Sequence, residues 1–221
     1  EEDVFGHYKY VNDSADIGIM AYNLPWCIPG GFNFTQSLFE RFAGLEHLDG
    51  IKWGSPQTAH WANMVSLFKD TFSFIEQGGI LGVGARLGMR GFIDTLGNVA
   101  PRLSLRRWEL LREKRFDELD EMQRVALEAT VAAVRPGEAD YPGMGEGPPA
   151  RFRLSALGME TGPYFPAQAP LTESYKRATA KAIDASGVRE WVDWDQSIFD
   201  RLEAKAAPPE LRPPEAPSRL R

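Results

Sequence analysis

Lys52 and Tyr22 have the residue types and the spacing for carbonyl chemistry. Lys52 stands near the end of the apolar run Leu48-Asp49-Gly50-Ile51-Lys52-Trp53, just before Gly54-Ser55-Pro56 turns the chain. Read as a strand, the run carries an amine at its C-terminal tip, where parallel α/β architectures build their sites from the loops that follow. Apolar surroundings strip the amine of hydration, which favours the neutral, nucleophilic form. The competing reading is a charge that only marks where the strand leaves the sheet. Tyr22 ends an earlier apolar run, Ile17 to Asn23, beside its own turn signal Asn23-Leu24-Pro25. If the two strands are neighbours they lie about 5 Å apart. Phenol and amine then share one pocket, and the phenol can shuttle protons for the amine's reaction. Alternatively, Tyr22 is an aromatic of the core.

Other candidates carry weaker patterns. Cys27 follows Trp26 in the loop after Tyr22, but a thiol nucleophile needs an oriented base and the sequence places none, so it reads as a spectator at the pocket rim. The three histidines, His7, His47 and His60, have no metal-ligand spacing among themselves or with Cys27, and no metal site is expected. The glycine run Gly78-Gly79-Ile80-Leu81-Gly82-Val83-Gly84-Ala85-Arg86-Leu87-Gly88 follows a strand, as a dinucleotide-binding loop would. Against an oxidoreductase of that kind, no acidic residue closes the next strand at the expected distance, because Asp94 comes too soon.

The elements that must position these residues follow from periodicity. Strands are expected at Ile17 to Asn23, Leu48 to Trp53, Phe72 to Ile75 and Gly91 to Thr95. Helices are expected at Phe5 to Val11, Phe34 to Ala43, Ala59 to Phe68 and Leu103 to Arg112. Strands alternating with helices every twenty to thirty residues or so indicate βα units and a parallel sheet, so the class is α/β. The second half turns helical: Phe116 to Val134, Arg151 to Met159 and Leu171 to Ser186, the last two stopped by Gly158 and Gly187. Pro136 to Pro149 reads as a loop, and residues 206–221, with five prolines, as a disordered tail. This divides the chain into residues 1–113, a helical part 114–205 and the tail 206–221. A formal net charge of −6 argues against a nucleic-acid partner, and no run is apolar enough to span a bilayer. A single cysteine points to a reducing cytoplasm.

Taken together, Tyr22-Asn23-Leu24-Pro25, Gly50-Ile51-Lys52, Leu87-Gly88-Met89-Arg90-Gly91-Phe92-Ile93 and Asn98-Val99-Ala100-Pro101 resemble the dihydrodipicolinate synthase/N-acetylneuraminate lyase family. The resemblance runs from about Phe5 to Gly187. It implies a (β/α)8 TIM barrel with a C-terminal helical extension, usually a homo-oligomer assembled as a tetramer. It also implies class I chemistry without a metal or dissociable cofactor. Lys52 would form a Schiff base with pyruvate or a related 2-oxo acid, and Tyr22 would carry protons. The main chain around Ile93 would hold the substrate, with Gly78 and Cys27 at the pocket wall.

Three departures accompany the resemblance. The chain opens at the helix preceding the fifth barrel strand, so it holds only strands 5–8. The Thr-Thr-Gly-Glu-type loop for the keto acid's carboxylate, and a tyrosine lent across the subunit interface, lie in the part that is absent. Cys27 stands where the synthase branch carries an arginine for the aldehyde's carboxylate, which argues against lysine-pathway synthase activity. The stretch between Phe74 and Leu87 is short and lacks the expected acidic residues. The expected function is therefore a Schiff-base lyase, aldolase or dehydratase. The alternatives are a non-catalytic half-barrel and, further off, the dinucleotide-binding oxidoreductase.

Overall fold

The computed structural model describes the chain except residues 26, 27, 29, 56, 78, 95, 131–146, 163–169, 196 and 198–221. Four parallel strands form one sheet in sequential order: β1 (Ile19–Asn23), β2 (Leu48–Trp53), β3 (Ser73–Glu76) and β4 (Gly91–Phe92). A helix connects each strand to the next: α2 (Gln36–Phe42), α3 (Thr58–Phe68) and α4 (Leu81–Leu87). α1 (Glu2–Ser14) leads into β1 and α5 (Pro101–Arg112) follows β4. The expected strands all form, with ends shifted by a residue or two except β4, which stops at Phe92.

One face of the sheet is sealed. Ala21, Ile51, Trp53 and Phe74 are buried against Leu38, Phe39 and Phe42 of α2 and Trp61 and Val65 of α3. Side chains alternate across a strand, so this set lies on a single side. Phe39 is the centre of the packing, with ring centroids 5.3 Å from Trp53, 5.2 Å from Phe68 and 5.9 Å from Phe74. Burying each such ring stabilises the fold by about 1.5–3 kcal/mol. α2 begins where Thr35 accepts a hydrogen bond from the Leu38 amide, an N-cap that orients the helix carrying Phe39.

The opposite face is open. Met20 is 48% exposed and Tyr22 41%, although their neighbours Ala21 and Asn23 are buried. Ile93, just beyond β4, is 48% exposed. The edge of β1 is not bare at Tyr22, because its N–H donates to the Tyr8 hydroxyl of α1 at 3.0 Å. Burial pushes the Tyr8 phenol up from its ordinary range, partly offset by that same bond.

The glycine run folds differently from a dinucleotide loop. Gly82 and Gly84 lie inside α4, where glycine costs about 1 kcal/mol relative to alanine. Close packing accounts for them: a Cβ at Gly82 would run into the Asp120 carboxylate, and one at Gly84 into Met89 and Trp61. These glycines bring helices together rather than cradle a phosphate, which corrects the oxidoreductase alternative.

α6 (Phe116–Thr130), α7 (Gly147–Ala156) and α8 (Glu173–Ser186) make the helical second half. Val125, Ala126 and Ala129 of α6 join Ile183 of α8, Leu157 and Val188 around Leu96, Val99 and Leu103, which follow β4. The helices therefore pack on the segment that leads out of the sheet. Gly158 and Gly187 stop α7 and α8 as expected, at φ +99° and +78°, a region that side-chain-bearing residues rarely adopt. Residues 147–149, expected in a loop, instead begin α7, with Pro148 and Pro149 buried in its first turn. The tail at 206–221 lies outside the described residues. Among the described residues no helix is long and apolar enough to cross a membrane.

Candidate active site

β1 and β2 pair in parallel with Tyr22 opposite Lys52, and β2 and β3 with Lys52 opposite Ile75. Ile75 in turn pairs with Gly91. Directly paired residues face the same way, so Tyr22, Lys52, Ile75 and Gly91 share the open face at the C-terminal tips. The two-residue period carries Ile93 to this face as well. The conditional premise of the sequence reading, that the two strands are neighbours, therefore holds.

The Lys52 Nζ lies 3.8 Å from the centroid of the Tyr22 ring. A cation–π contact of this kind is worth about 0.5–1 kcal/mol at an accessible site and keeps the amine against the phenol. Lys52 is half-buried, with Ile51 and Trp53 beside it fully buried, so the strand is fixed while the amine remains reachable. The Tyr22 hydroxyl accepts a hydrogen bond from the Gln77 Nε2 at 3.2 Å. Gln77 follows β3, so this bond joins the ends of β3 and β1 across the intervening strand that bears Lys52.

The loops behind these tips are tied to one another. Asn23 is fully buried; its Nδ2 donates to the Phe32 carbonyl at 3.3 Å, and its backbone carbonyl accepts from the Gly54 N–H at 3.3 Å. Asn33 Oδ1 accepts from the Trp53 indole at 2.9 Å, and its Nδ2 donates to the Ser55 hydroxyl at 3.1 Å. The loop after β1 is thereby fastened to the loop after β2, which holds Tyr22 and Lys52 in mutual register.

A charged cluster does the same for β3 and β4. Arg107 of α5 is fully buried, 2.9 Å from Asp94 and with its guanidinium 4.6 Å from the centroid of the Phe92 ring. Burial pushes the Arg107 guanidinium down, while the charges of Asp94 and, less, Glu76 pull it back up. Asp94 also accepts from the Ser104 hydroxyl at 3.1 Å and the Gly97 N–H at 2.9 Å. Glu76 is buried at the tip of β3 and accepts from the Gly79 N–H at 3.1 Å. The Ile93 N–H donates to the Glu76 carbonyl at 2.8 Å, so this donor is committed to the sheet.

Of the sequence-derived site residues, Lys52, Tyr22 and Ile93 come to one face, whereas Cys27 and Gly78 lie outside the described residues. Gln77, Glu76, Asp94 and Arg107 escaped the sequence reading. A signal existed for two of them. Arg107 sits between Leu103 and Leu110 on the buried stripe of its helix, where a charge is out of pattern. Glu76 is an acid in the stretch expected to lack one, at a strand tip like that of Lys52.

No protein-family model matches the chain. It is 29% identical over 102 residues to 4-hydroxy-tetrahydrodipicolinate synthase of Syntrophus aciditrophicus, covering 46% of this chain and 34% of that protein. It is 32% identical over 111 residues to the enzyme of the same name from a Thermotoga species, covering 46% and 36%. The chain thus spans about a third of the length of these curated relatives. Among solved structures, the chloride-inhibited dihydrodipicolinate synthase of Acinetobacter baumannii complexed with pyruvate superposes with a TM-score of 0.69 at 18% identity, over 85% of this chain and 61% of that one. The likeness establishes the fold relationship to these TIM barrels. Over about half of its length, the chain is similar in sequence to these 4-hydroxy-tetrahydrodipicolinate synthases, and its fold is that of the dihydrodipicolinate synthase structures.

Proposed function

We propose that this chain carries the reactive strands of a class I Schiff-base lyase acting on pyruvate or another 2-oxo acid, such as a deoxy sugar acid. The carrying observation is the register of Tyr22 with Lys52 at adjacent strand tips, amine and phenol ring 3.8 Å apart. The neutral Lys52 amine attacks the ketone carbon to give a carbinolamine. Loss of hydroxide as water, with a proton from Tyr22, leaves a protonated imine. That imine withdraws electrons from the adjacent carbon, which eases carbon–carbon cleavage, its reverse, or loss of water. Ile93 lines the substrate end of the face, Cys27 and Gly78 are proposed for its walls, and a thiol at 27 favours a substrate other than aspartate semialdehyde. The complete protein is proposed to work as a homo-oligomer.

The test is chemical. In the full-length protein, pyruvate with borohydride reduces the imine to a stable secondary amine, and mass spectrometry of the peptide holding Ile51-Lys52-Trp53 locates it. An adduct elsewhere, or none with any 2-oxo acid tried, removes the mechanism.

A second reading concerns completeness. The open face carries Met20 and Ile93, each 48% exposed, and the chain covers only 61% of the barrel it superposes on. We propose that these are strands 5–8 of a barrel whose other strands cover that face. Residues 1–221 alone then expose apolar surface and self-associate. Size-exclusion chromatography with a hydrophobic dye checks this, and a monodisperse monomer that binds no dye contradicts it.

A further inference from the structure

Gln77 has no place in the chemistry set out above, and its side chain is aimed into the middle of it. Its Nε2 donates to the Tyr22 hydroxyl at 3.2 Å, reaching from the tip of β3 to β1 across Lys52, whose Nζ lies 3.8 Å from the same phenol ring. The residue before it is held twice: the Glu76 side chain is buried and bonded to the Gly79 N–H, and the Glu76 carbonyl is paired with the Ile93 N–H. The amide is a neutral donor presented by a fixed strand end, pointed at one oxygen.

We infer that Gln77 is the positioning residue for Tyr22, holding the phenol oxygen through its own N–H while the phenol proton is given away. The inference rests on the Schiff-base reading and deepens it. In the dehydration step, the carbinolamine C–O bond breaks and the nitrogen lone pair forms the C=N bond. The Tyr22 proton goes to the departing hydroxyl, so water, a positively charged imine and a tyrosinate result. Charge develops on the phenol oxygen in this step, at the atom to which Gln77 donates. A preorganised donor aimed at developing negative charge acts more strongly in the transition state than in the resting state. Because the donor occupies an acceptor site of the oxygen, it also leaves the O–H directed elsewhere, toward the amine-bound substrate.

A double-mutant cycle in the full-length protein tests this, with pyruvate as the probe and the initial rate of borohydride-trapped adduct on Lys52 as the readout. Gln77→Met, which keeps the length and removes the donor, is expected to slow trapping by about 10- to 100-fold, short of the largest effects of removing an oxyanion donor. The final yield of adduct is unchanged. Gln77→Glu is slower still, because a carboxylate opposes the tyrosinate. In the Tyr22→Phe background Gln77→Met has no further effect, since the oxygen it serves is gone. A structural role alone would slow trapping equally in both backgrounds, and that result overturns the proposal, as does a change below about threefold in the Tyr22 background. Absence of adduct in the wild type overturns the Schiff-base reading and this inference with it, whereas adduct in the wild type with additive variants overturns this inference alone.

Discussion

Lys52→Arg is expected to abolish turnover of any 2-oxo acid substrate, a loss on the order of 10⁶-fold or more, which is the scale of a typical enzyme's advantage over solution. The expectation is sharp because arginine preserves almost everything else. It keeps the positive charge and the aliphatic stem, and a guanidinium stacks on an aromatic ring as well as an ammonium does, so the contact with Tyr22 can be retained. The guanidinium lone pairs are delocalised and the group stays protonated, so it forms no imine. Steady-state turnover, with a thermal melt to show that the fold persists, measures the outcome. Residual activity within a hundredfold of the wild type, on a folded variant, would place the nucleophile elsewhere.

Tyr22→Phe is expected to lower turnover by about 10²–10⁴-fold, the usual range for a positioned acid/base. The ring remains, and with it the packing and the face presented to Lys52; only the oxygen bonded to Gln77 is lost. The fold therefore holds, and the imine on Lys52 still forms, more slowly, and can still be trapped with borohydride. That split between preserved covalent chemistry and lost proton transfer separates Tyr22 from Lys52. A loss below about threefold would leave Tyr22 as a strand aromatic with no part in the proton transfer.

Both expectations depend on two strand tips being side by side, and that adjacency was only a premise in the primary structure. Apolar runs closed by turn residues placed β1 and β2, because a strand buried on one face against helices must be apolar there, and Ala21, Ile51, Trp53 and Phe74 meet that demand. Helix stops at Gly158 and Gly187 were legible for the same local reason, since only a residue without a Cβ adopts their backbone geometry readily. The glycines of α4 were not. Their purpose is the approach of Asp120, Met89 and Trp61, residues up to about forty positions away, and no local pattern announces such contacts.

The amino-acid sequence by itself determined the α/β alternation, the amine and phenol at strand ends, and the family resemblance, because these reside in periodicity and in short motifs read along the chain. The tertiary structure alone decided which residues meet. It set Tyr22 opposite Lys52, carried Gln77 across a strand to the phenol, and buried Arg107 against Asp94 behind the tip of β4. Such contacts are fixed by strand order and register, and a one-residue shift in the register of a strand would send its side chains to the other face of the sheet.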